Sequence, residues 1–351
     1  MMVSRDVMRS TARDFRKYYN PKIGKEIRLD TNVNVLGSNP AAKKFLSEWD
    51  GDINGYPNTY SDDLRSNLAE LYGLERENFI AGNGSDEILD VIFKAFTEWK
   101  DDCAVPVPSY ALYDYFVKVN GGSTIEVDLT EDFHLDVDAF IKTDAKIAIM
   151  PSPNNPTGNA FRQKDLEDIL SGFGGMVVVD EAYGEYCKTS MMDKVEEFDN
   201  LIVIRTFSKA YAMAGLRVGY AASNLDVSEM MNCVKIPYSV NMLSEGAAMA
   251  AVKDRKFIRD SVALIDEQRP KLDAGLRSLG FRTYPSDSNF ILAESPVNHE
   301  VLVKGLKERG ILIRDFGSGR RTKNCVRITV GTEEMNRLLL AKTEEIVNGR
   351  K

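Results

Sequence analysis

Apolar side chains recur at helical spacing between residues 86 and 99 (Ile88, Leu89, Val91, Ile92, Ala95, Phe96, Trp99) and predict an amphipathic helix with Ser85 as its N-cap. Downstream the pattern changes. Short apolar runs at 104–107, 124–129, 147–150, 176–179, 201–204 and 218–221 alternate with polar or helical stretches. Strands buried on both faces read as continuous apolar runs, so this alternation predicts an α/β fold with a mostly parallel sheet flanked by helices. Residues 225–279 read as mostly helical. A strand near 289–293, a helix near 300–309, strands at 311–313 and 325–330, and a closing helix from Glu333 then predict a smaller α+β unit. The weakly patterned first 28 residues, with Val7, Met8, Phe15, Tyr18 and Tyr19, predict an arm or short helix. The expected division is a large domain over 45–240 and a small one from 1–44 and 241–351 that includes the arm.

Composition narrows the functional classes. The 351 residues are 43% hydrophobic and 28% charged, with a net charge of −8. That balance argues against binding nucleic acid by neutralising phosphates. No apolar run approaches a membrane span, and the charged N-terminus (Ser4, Arg5, Asp6, Arg13, Asp14) is unlike a signal peptide. Cys103, Cys187, Cys233 and Cys325 form no CxxC pair and fit reduced thiols in a cytoplasmic protein; with His134 and His299 as the only histidines, no metal site is expected.

Four segments carry candidate chemistry. Gly82-Asn83-Gly84-Ser85-Asp86-Glu87 opens the predicted helix, where free N–H groups and the dipole favour a phosphate; a plain glycine turn with a serine cap reads the same. Pro151-Ser152-Pro153-Asn154-Asn155-Pro156-Thr157-Gly158 follows a strand and is barred from helix and ladder by its prolines, leaving Asn155 to offer an amide to a phenolate-type oxygen. In Val177-Val178-Val179-Asp180-Glu181-Ala182-Tyr183, Asp180 ends a buried strand, where a carboxylate is costly without a cation. A protonated pyridine nitrogen suits it, as would a metal or a helix cap, and Tyr183 is placed to donate to the ring oxygen. In Arg205-Thr206-Phe207-Ser208-Lys209, the lysine follows the apolar run 201–204, at the strand end where open α/β sheets bind ligands. An amine there, with Thr206, Ser208 and Arg217 as phosphate donors, is equipped to form a Schiff base beside a phosphate, and the chain reads as an enzyme using pyridoxal 5'-phosphate.

Together these segments resemble the fold-type I pyridoxal-phosphate aminotransferases, most closely the histidinol-phosphate aminotransferase family. The resemblance also covers Asn54-Gly55-Tyr56-Pro57, Pro108-Ser109-Tyr110, Ser286-Asp287-Ser288-Asn289-Phe290 and Asn324-Cys325-Val326-Arg327-Ile328-Thr329-Val330-Gly331. It implies that Lys209 binds the cofactor aldehyde, Asp180 pairs with the ring nitrogen, Asn155 and Tyr183 hold the ring oxygen and Tyr110 stacks on the ring. It implies that the N–H groups of Ser85 and Asp86, with Ser208 and Arg217, hold the cofactor phosphate, and that Tyr56 reaches the neighbouring subunit of a homodimer. Arg327 is implied to clamp a carboxylate, Arg314 to bind a substrate phosphate, and Asn32 and Tyr19 to lie at the substrate. The family's usual Asn-Glu-Asn-Pro is Asn32-Val33-Asn34-Val35 here, which favours an apolar or aromatic substrate; Arg320 and Arg321 beside Arg314 favour a phosphorylated one. The expected reaction is amino transfer from histidinol phosphate to 2-oxoglutarate, with an aromatic or broad-range aminotransferase and a threonine-phosphate decarboxylase as alternatives.

Overall fold

The computed structural model describes residues 7–13, 15 and 24–349. Tyr18 and Tyr19 lie outside them. Among the described residues twelve strands form two sheets. In chain order these are β1 (Ile27–Leu29), β2 (Phe79–Gly82), β3 (Asp102–Val107), β4 (Ser123–Asp128), β5 (Ile147–Pro151), β6 (Met176–Asp180), β7 (Leu201–Thr206), β8 (Gly219–Ser223), β9 (Arg282–Thr283), β10 (Phe290–Glu294), β11 (Ile311–Asp315) and β12 (Cys325–Thr329).

The larger sheet runs β2-β8-β7-β6-β5-β3-β4. Strands β3 to β7 are parallel, and β8 is antiparallel to both β7 and β2. Successive strand residues point to opposite faces. Val177, Val179, Leu201 and Val203 enter one apolar core, while Val178, Ile202 and Ile204 enter another on the opposite face. Both faces are covered, as the unbroken apolar runs predict. The same alternation fixes where the polar residues that follow must point: Asp180 and Thr206 to one side, Glu181 and Arg205 to the other.

The smaller sheet, β1-β11-β12-β10-β9, has its own core around Leu272, Phe290, Ile328 and Leu339. The loop at Ser286–Asp287 joins the two halves. The Asp287 N–H donates to the Gly158 carbonyl at 2.8 Å, and the Ala160 N–H donates to the Asp287 carboxylate at 2.8 Å.

Several local expectations change. The helix expected to end near Trp99 spans Ser85–Phe96, its N-cap is Gly84 rather than Ser85, and Trp99 lies half-exposed beyond it. Gly84 takes this place because its φ of 86° is one that only glycine adopts freely. β2 and the helices Pro40–Glu48 and Asp62–Tyr72 carry too short or too mixed an apolar pattern to be read from the chain.

Candidate active site

The ends of β5, β6 and β7, the start of the helix Ser85–Phe96 and the inner face of β12 converge. Asp180 closes β6 and is 6% exposed. Its Oδ1 accepts the Ala182 N–H at 3.0 Å and its Oδ2 accepts the Tyr113 hydroxyl at 2.8 Å. Burial pushes its carboxyl up to about 6; the two hydrogen bonds oppose the rise, and the charges of Asp86 and Glu181 add to it. Among the described residues no cation forms an ion pair with it. Tyr113 was not singled out from the sequence. It lies in the helix Leu112–Val119, where an aromatic residue at helical spacing reads as core.

Lys209 follows β7 by three residues. Its Nζ donates to the Thr31 carbonyl at 3.2 Å and stands 5.5 Å from the centre of the Tyr183 ring. The Tyr183 hydroxyl accepts from Asn32 Nδ2 at 2.9 Å, so its own hydrogen stays available to donate. Asn32 is fully buried at φ 55°, held by Thr329 on its N–H and Oδ1 and by Asn289 on its carbonyl. It sits behind Tyr183. Asn34, two residues on, ties the same segment to the Ala210 carbonyl (2.9 Å) and to Ser261 (2.8 Å).

A cradle forms where β8 passes behind the start of the helix Ser85–Phe96. A Cβ on Gly219 would stand 2.3 Å from the Ser85 nitrogen, and one on Gly84 would stand 2.6 Å from Arg217 Nη2. Only glycines allow this approach. Arg217 Nη2 donates to Asp86 Oδ2 at 2.7 Å, while Nη1 reaches Ser208 Oγ at 3.5 Å. The Thr206 hydroxyl donates to Ser208 Oγ at 3.0 Å and accepts the Ser208 N–H at 3.1 Å, which orients that serine. Helix N–H groups, a hydroxyl and a guanidinium thus come together in an arrangement suited to a phosphate. The Asp86 carboxylate holds Arg217, leaving its main-chain N–H for the anion.

Arg327, in β12, is buried (6% exposed) and has no carboxylate partner among the described residues. It donates to the Asp30 carbonyl at 2.7 Å and to the Asn155 amide oxygen, lies 5.2 Å from the Phe290 ring and 5.4 Å from the Phe316 ring, and has a buried Nε without a partner. Burial pulls its guanidinium below the usual arginine range. By taking the Asn155 oxygen, it leaves Asn155 Nδ2 as the end facing away, as a donor to a ring oxygen requires.

Other expected site residues lie further out. Tyr110 meets Tyr113 edge to face with ring centres 5.5 Å apart. Arg314 pairs across strands with Arg327 but is exposed. Tyr56 is 85% exposed and stacks on Tyr238 at 4.9 Å. The charge expected from Arg320 and Arg321 is committed elsewhere: Arg320 pairs with Glu126 and Asp128, and Arg321 donates to the carbonyls of Leu129 and Thr130. They pin the loop after β11 to the end of β4 and supply no free positive field.

Pyridoxal phosphate fits this donor set. A buried acid without a cation partner among the described residues suits a protonated ring nitrogen, a glycine-lined cradle suits a phosphate, and Lys209 supplies an amine at the end of the neighbouring strand. No group of histidine, cysteine or acidic residues among the described ones is arranged to hold a metal. No helix among them is long and apolar enough to cross a membrane.

Comparison with known proteins places these features in a family. Residues 25–342 match the family described as aminotransferase class I and II. A histidinol-phosphate aminotransferase from Thermoanaerobacter sp. (strain X514) is 36% identical over 349 residues, covering 97% of this chain and 99% of that one. One from Ruminiclostridium cellulolyticum is 33% identical over 346 residues, covering 95% and 96%. Among solved structures, the histidinol-phosphate aminotransferase of Clostridium acetobutylicum superposes with a TM-score of 0.86 at 24% identity, covering 92% of this chain and 99% of that one. That of Sinorhizobium meliloti, in complex with pyridoxal-5'-phosphate, gives 0.85 at 23%, covering 93% and 92%. These two likenesses are of fold; the sequence matches carry the assignment. The chain belongs to the class I and II aminotransferases, pyridoxal-phosphate enzymes that exchange an amino group between an amino compound and a 2-oxo acid.

Proposed function

We propose that this enzyme transfers the amino group of histidinol phosphate to 2-oxoglutarate. The observation that carries this choice of substrate is the near full-length match, at 33–36% identity, to enzymes named for it. The buried Arg327, which has no carboxylate partner among the described residues, is open to the acceptor's carboxylate, and histidinol phosphate, which has no carboxylate, would offer it a phosphate instead. One fork then serves the acceptor's carboxylate in one half-reaction and the donor's phosphate in the other.

When bound, pyridoxal phosphate supplies an aldehyde carbon to carry the amino group and a ring that takes up electron density from the substrate carbon. The residues do the rest. Lys209 would supply the amine that anchors the cofactor, and its Nζ would serve as the base that takes the substrate-carbon proton and as the acid that returns it. Asp180 keeps the ring nitrogen protonated from a site that excludes water. Tyr183 and the Asn155 amide donate to the ring oxygen, and Tyr110 covers the ring face. Ser85 and Asp86 N–H groups, Ser208 and Arg217 hold the phosphate, with Thr206 orienting Ser208. Arg327 orients the anionic substrate, and Arg314 lies one strand further out toward a distal phosphate. Asn32 acts through its hydrogen bond to Tyr183.

A homodimer is the proposed working unit. Tyr56, exposed on one chain, would reach the neighbouring subunit's cofactor phosphate. We place the enzyme in the cytoplasm, since its four cysteines are all free. The proposed division into domains at 45–240 follows the two separate sheets, although Ala247, Ala248 and Ala251 of the helix Met242–Lys253 pack into the core of the larger one.

A spectral titration of the pyridoxal-phosphate-loaded enzyme tests the substrate. Histidinol phosphate should bleach the visible absorption. If it leaves the spectrum unchanged while phenylalanine or tyrosine converts it, the assignment passes to an aromatic or broad-range aminotransferase. Carbon dioxide release from threonine phosphate would assign the decarboxylase.

A further inference from the structure

We propose that Tyr113 is a positioning residue for the cofactor: its hydroxyl holds the Asp180 carboxylate ionised and aimed at the ring nitrogen. The geometry is specific. The Tyr113 ring is about as buried as any in the chain, at 1% exposed, and its oxygen lies 2.8 Å from Asp180 Oδ2. The Ala182 N–H takes Oδ1, so each carboxylate oxygen has one fixed donor and keeps lone-pair capacity for a ring N–H. A carboxylate gripped at both oxygens cannot rotate away.

The donor's direction is fixed as well. Burial first, and then the negative charge of Asp180, raise the Tyr113 hydroxyl well above the usual tyrosine range. It therefore keeps its hydrogen, and its recorded bond is to Asp180. The other titratable groups acting on this pair are Asp86 and, from the opposite face of the sheet, Glu181 on the acid, and Tyr110 and Tyr183 on the phenol. The two acids make Asp180 harder to ionise, so the burden of keeping it charged falls on the two hydrogen bonds. One short stretch thus delivers two rings: Tyr110 toward the ring face and Tyr113, edge-on to it at 84°, beneath the acid. The inference rests on the pyridoxal-phosphate reading but not on the choice of substrate.

The test is Tyr113→Phe, which removes one oxygen and keeps the ring packing, made alone and together with Asp180→Asn. Pyridoxal phosphate affinity is measured by absorbance titration from pH 5.5 to 8.5. A hydrogen bond to a charged group is worth about tenfold or more in affinity. Tyr113→Phe should therefore weaken binding by about that factor at neutral pH, and the acid-side fall in affinity should begin at higher pH than in the wild type. In the Asp180→Asn background the same change should alter affinity less than about twofold, because no charge is left to stabilise. A second readout needs no cofactor. The pH dependence of the stability difference between the full chain and its Asp180→Asn variant gives the acid's midpoint, which Tyr113→Phe should move upward. An unchanged midpoint, or an equal loss of affinity in both backgrounds, would reduce Tyr113 to a packing residue. If the wild-type chain failed to take up pyridoxal phosphate, the functional reading would fall, while the stability midpoint would still decide the role of Tyr113.

Discussion

Asp180 and Glu181 are neighbours in sequence, and Thr206 and Arg205 are neighbours one strand over, yet the two faces of the sheet treat charge in opposite ways. On the far face Glu181 is matched. Arg205 donates to its Oε2 through Nε at 3.0 Å and Nη2 at 2.6 Å, and also reaches Glu185 at 3.2 Å and Ser190 at 3.0 Å. On the site face, among the described residues, Asp180 has two hydrogen bonds and no cation, and Arg327 is buried with no carboxylate. Buried charges are normally paired because solvation is lost. Charges left unpaired on one face, beside a paired set on the other, mark where a ligand completes the balance. The far-face cluster also braces the site. Glu181 and Glu185 bracket Tyr183, and Arg205 lies four residues before Lys209, so one guanidinium ties both strand ends from behind.

The sharpest way to break this contrast is to remove each arginine. Arg205→Met leaves Glu181 and Glu185 buried without their cation and should cost about 3–5 kcal/mol of unfolding free energy, read from urea denaturation. Arg327→Met removes a buried charge and strands no carboxylate, only the neutral Asp30 carbonyl and Asn155 amide oxygen. Its stability should stay within about 1 kcal/mol of the wild type, while kcat/KM for the 2-oxo acid should drop about a hundredfold as charge-assisted hydrogen bonds are lost. If Arg327→Met destabilised the chain as much as Arg205→Met, Arg327 would be a structural ion and the proposed anion seat would be lost.

Asp180 allows a finer test, through pH. Its folded carboxyl titrates near 6, above the ordinary aspartate value of 3.8. The folded state then holds the proton more tightly than the unfolded one. Ionisation therefore costs stability, fully above pH 6 and not at all below about pH 4. Asp180→Asn removes that cost but leaves one amide oxygen where Tyr113 and Ala182 both need acceptors. The cofactor-free variant should be more stable than the wild type by about 2 kcal/mol at pH 8, with the gain fading toward pH 4. A constant difference across that range would mean that Asp180 is not strained by its charge.

The contrast between faces was partly legible in the chain itself. Unbroken apolar runs foretold parallel strands covered on both sides, and a lone Asp after three valines or a Lys after Leu-Ile-Val-Ile marked the strand ends where chemistry sits. Arg205 offered the same signal, a charge directly after an apolar run, but only the fold shows that its partners lie on the neighbouring strand and turn. Tyr113 and Asn32 were harder. A tyrosine on an amphipathic helix looks like core until Asp180 is placed beside its hydroxyl, and the contacts of Asn32 with Tyr183, Asn289 and Thr329 span up to 297 residues of sequence. The partners of Arg320 and Arg321 were hidden for the same reason: their acceptors lie some 190 residues away. Local pattern carries burial and period; it does not carry which distant polar group completes a hydrogen bond.

Another buried acid, remote from the site, separates strain from function. Glu245, in the helix Met242–Lys253, is 6% exposed and has one oxygen without a partner. Burial, then the charge of Asp63, pushes it up to about 7, opposed by the Leu64 N–H and the Ser61 hydroxyl at the start of the helix Asp62–Tyr72. The sign is that of Asp180: its ionisation costs stability above pH 7 and nothing below about pH 4.5. Two features shrink the effect. The repulsion from Asp63 is near the surface and is screened by salt, and a glutamine would hold Leu64 and Ser61 less strongly than a carboxylate. Glu245→Gln should therefore gain about 1 kcal/mol at pH 8, less in high salt, and nothing at pH 4.5. Unlike Asp180→Asn, it should leave pyridoxal phosphate affinity unchanged at every pH. A shift in that affinity would mean that unpaired buried charge in this fold is not confined to the ligand's face.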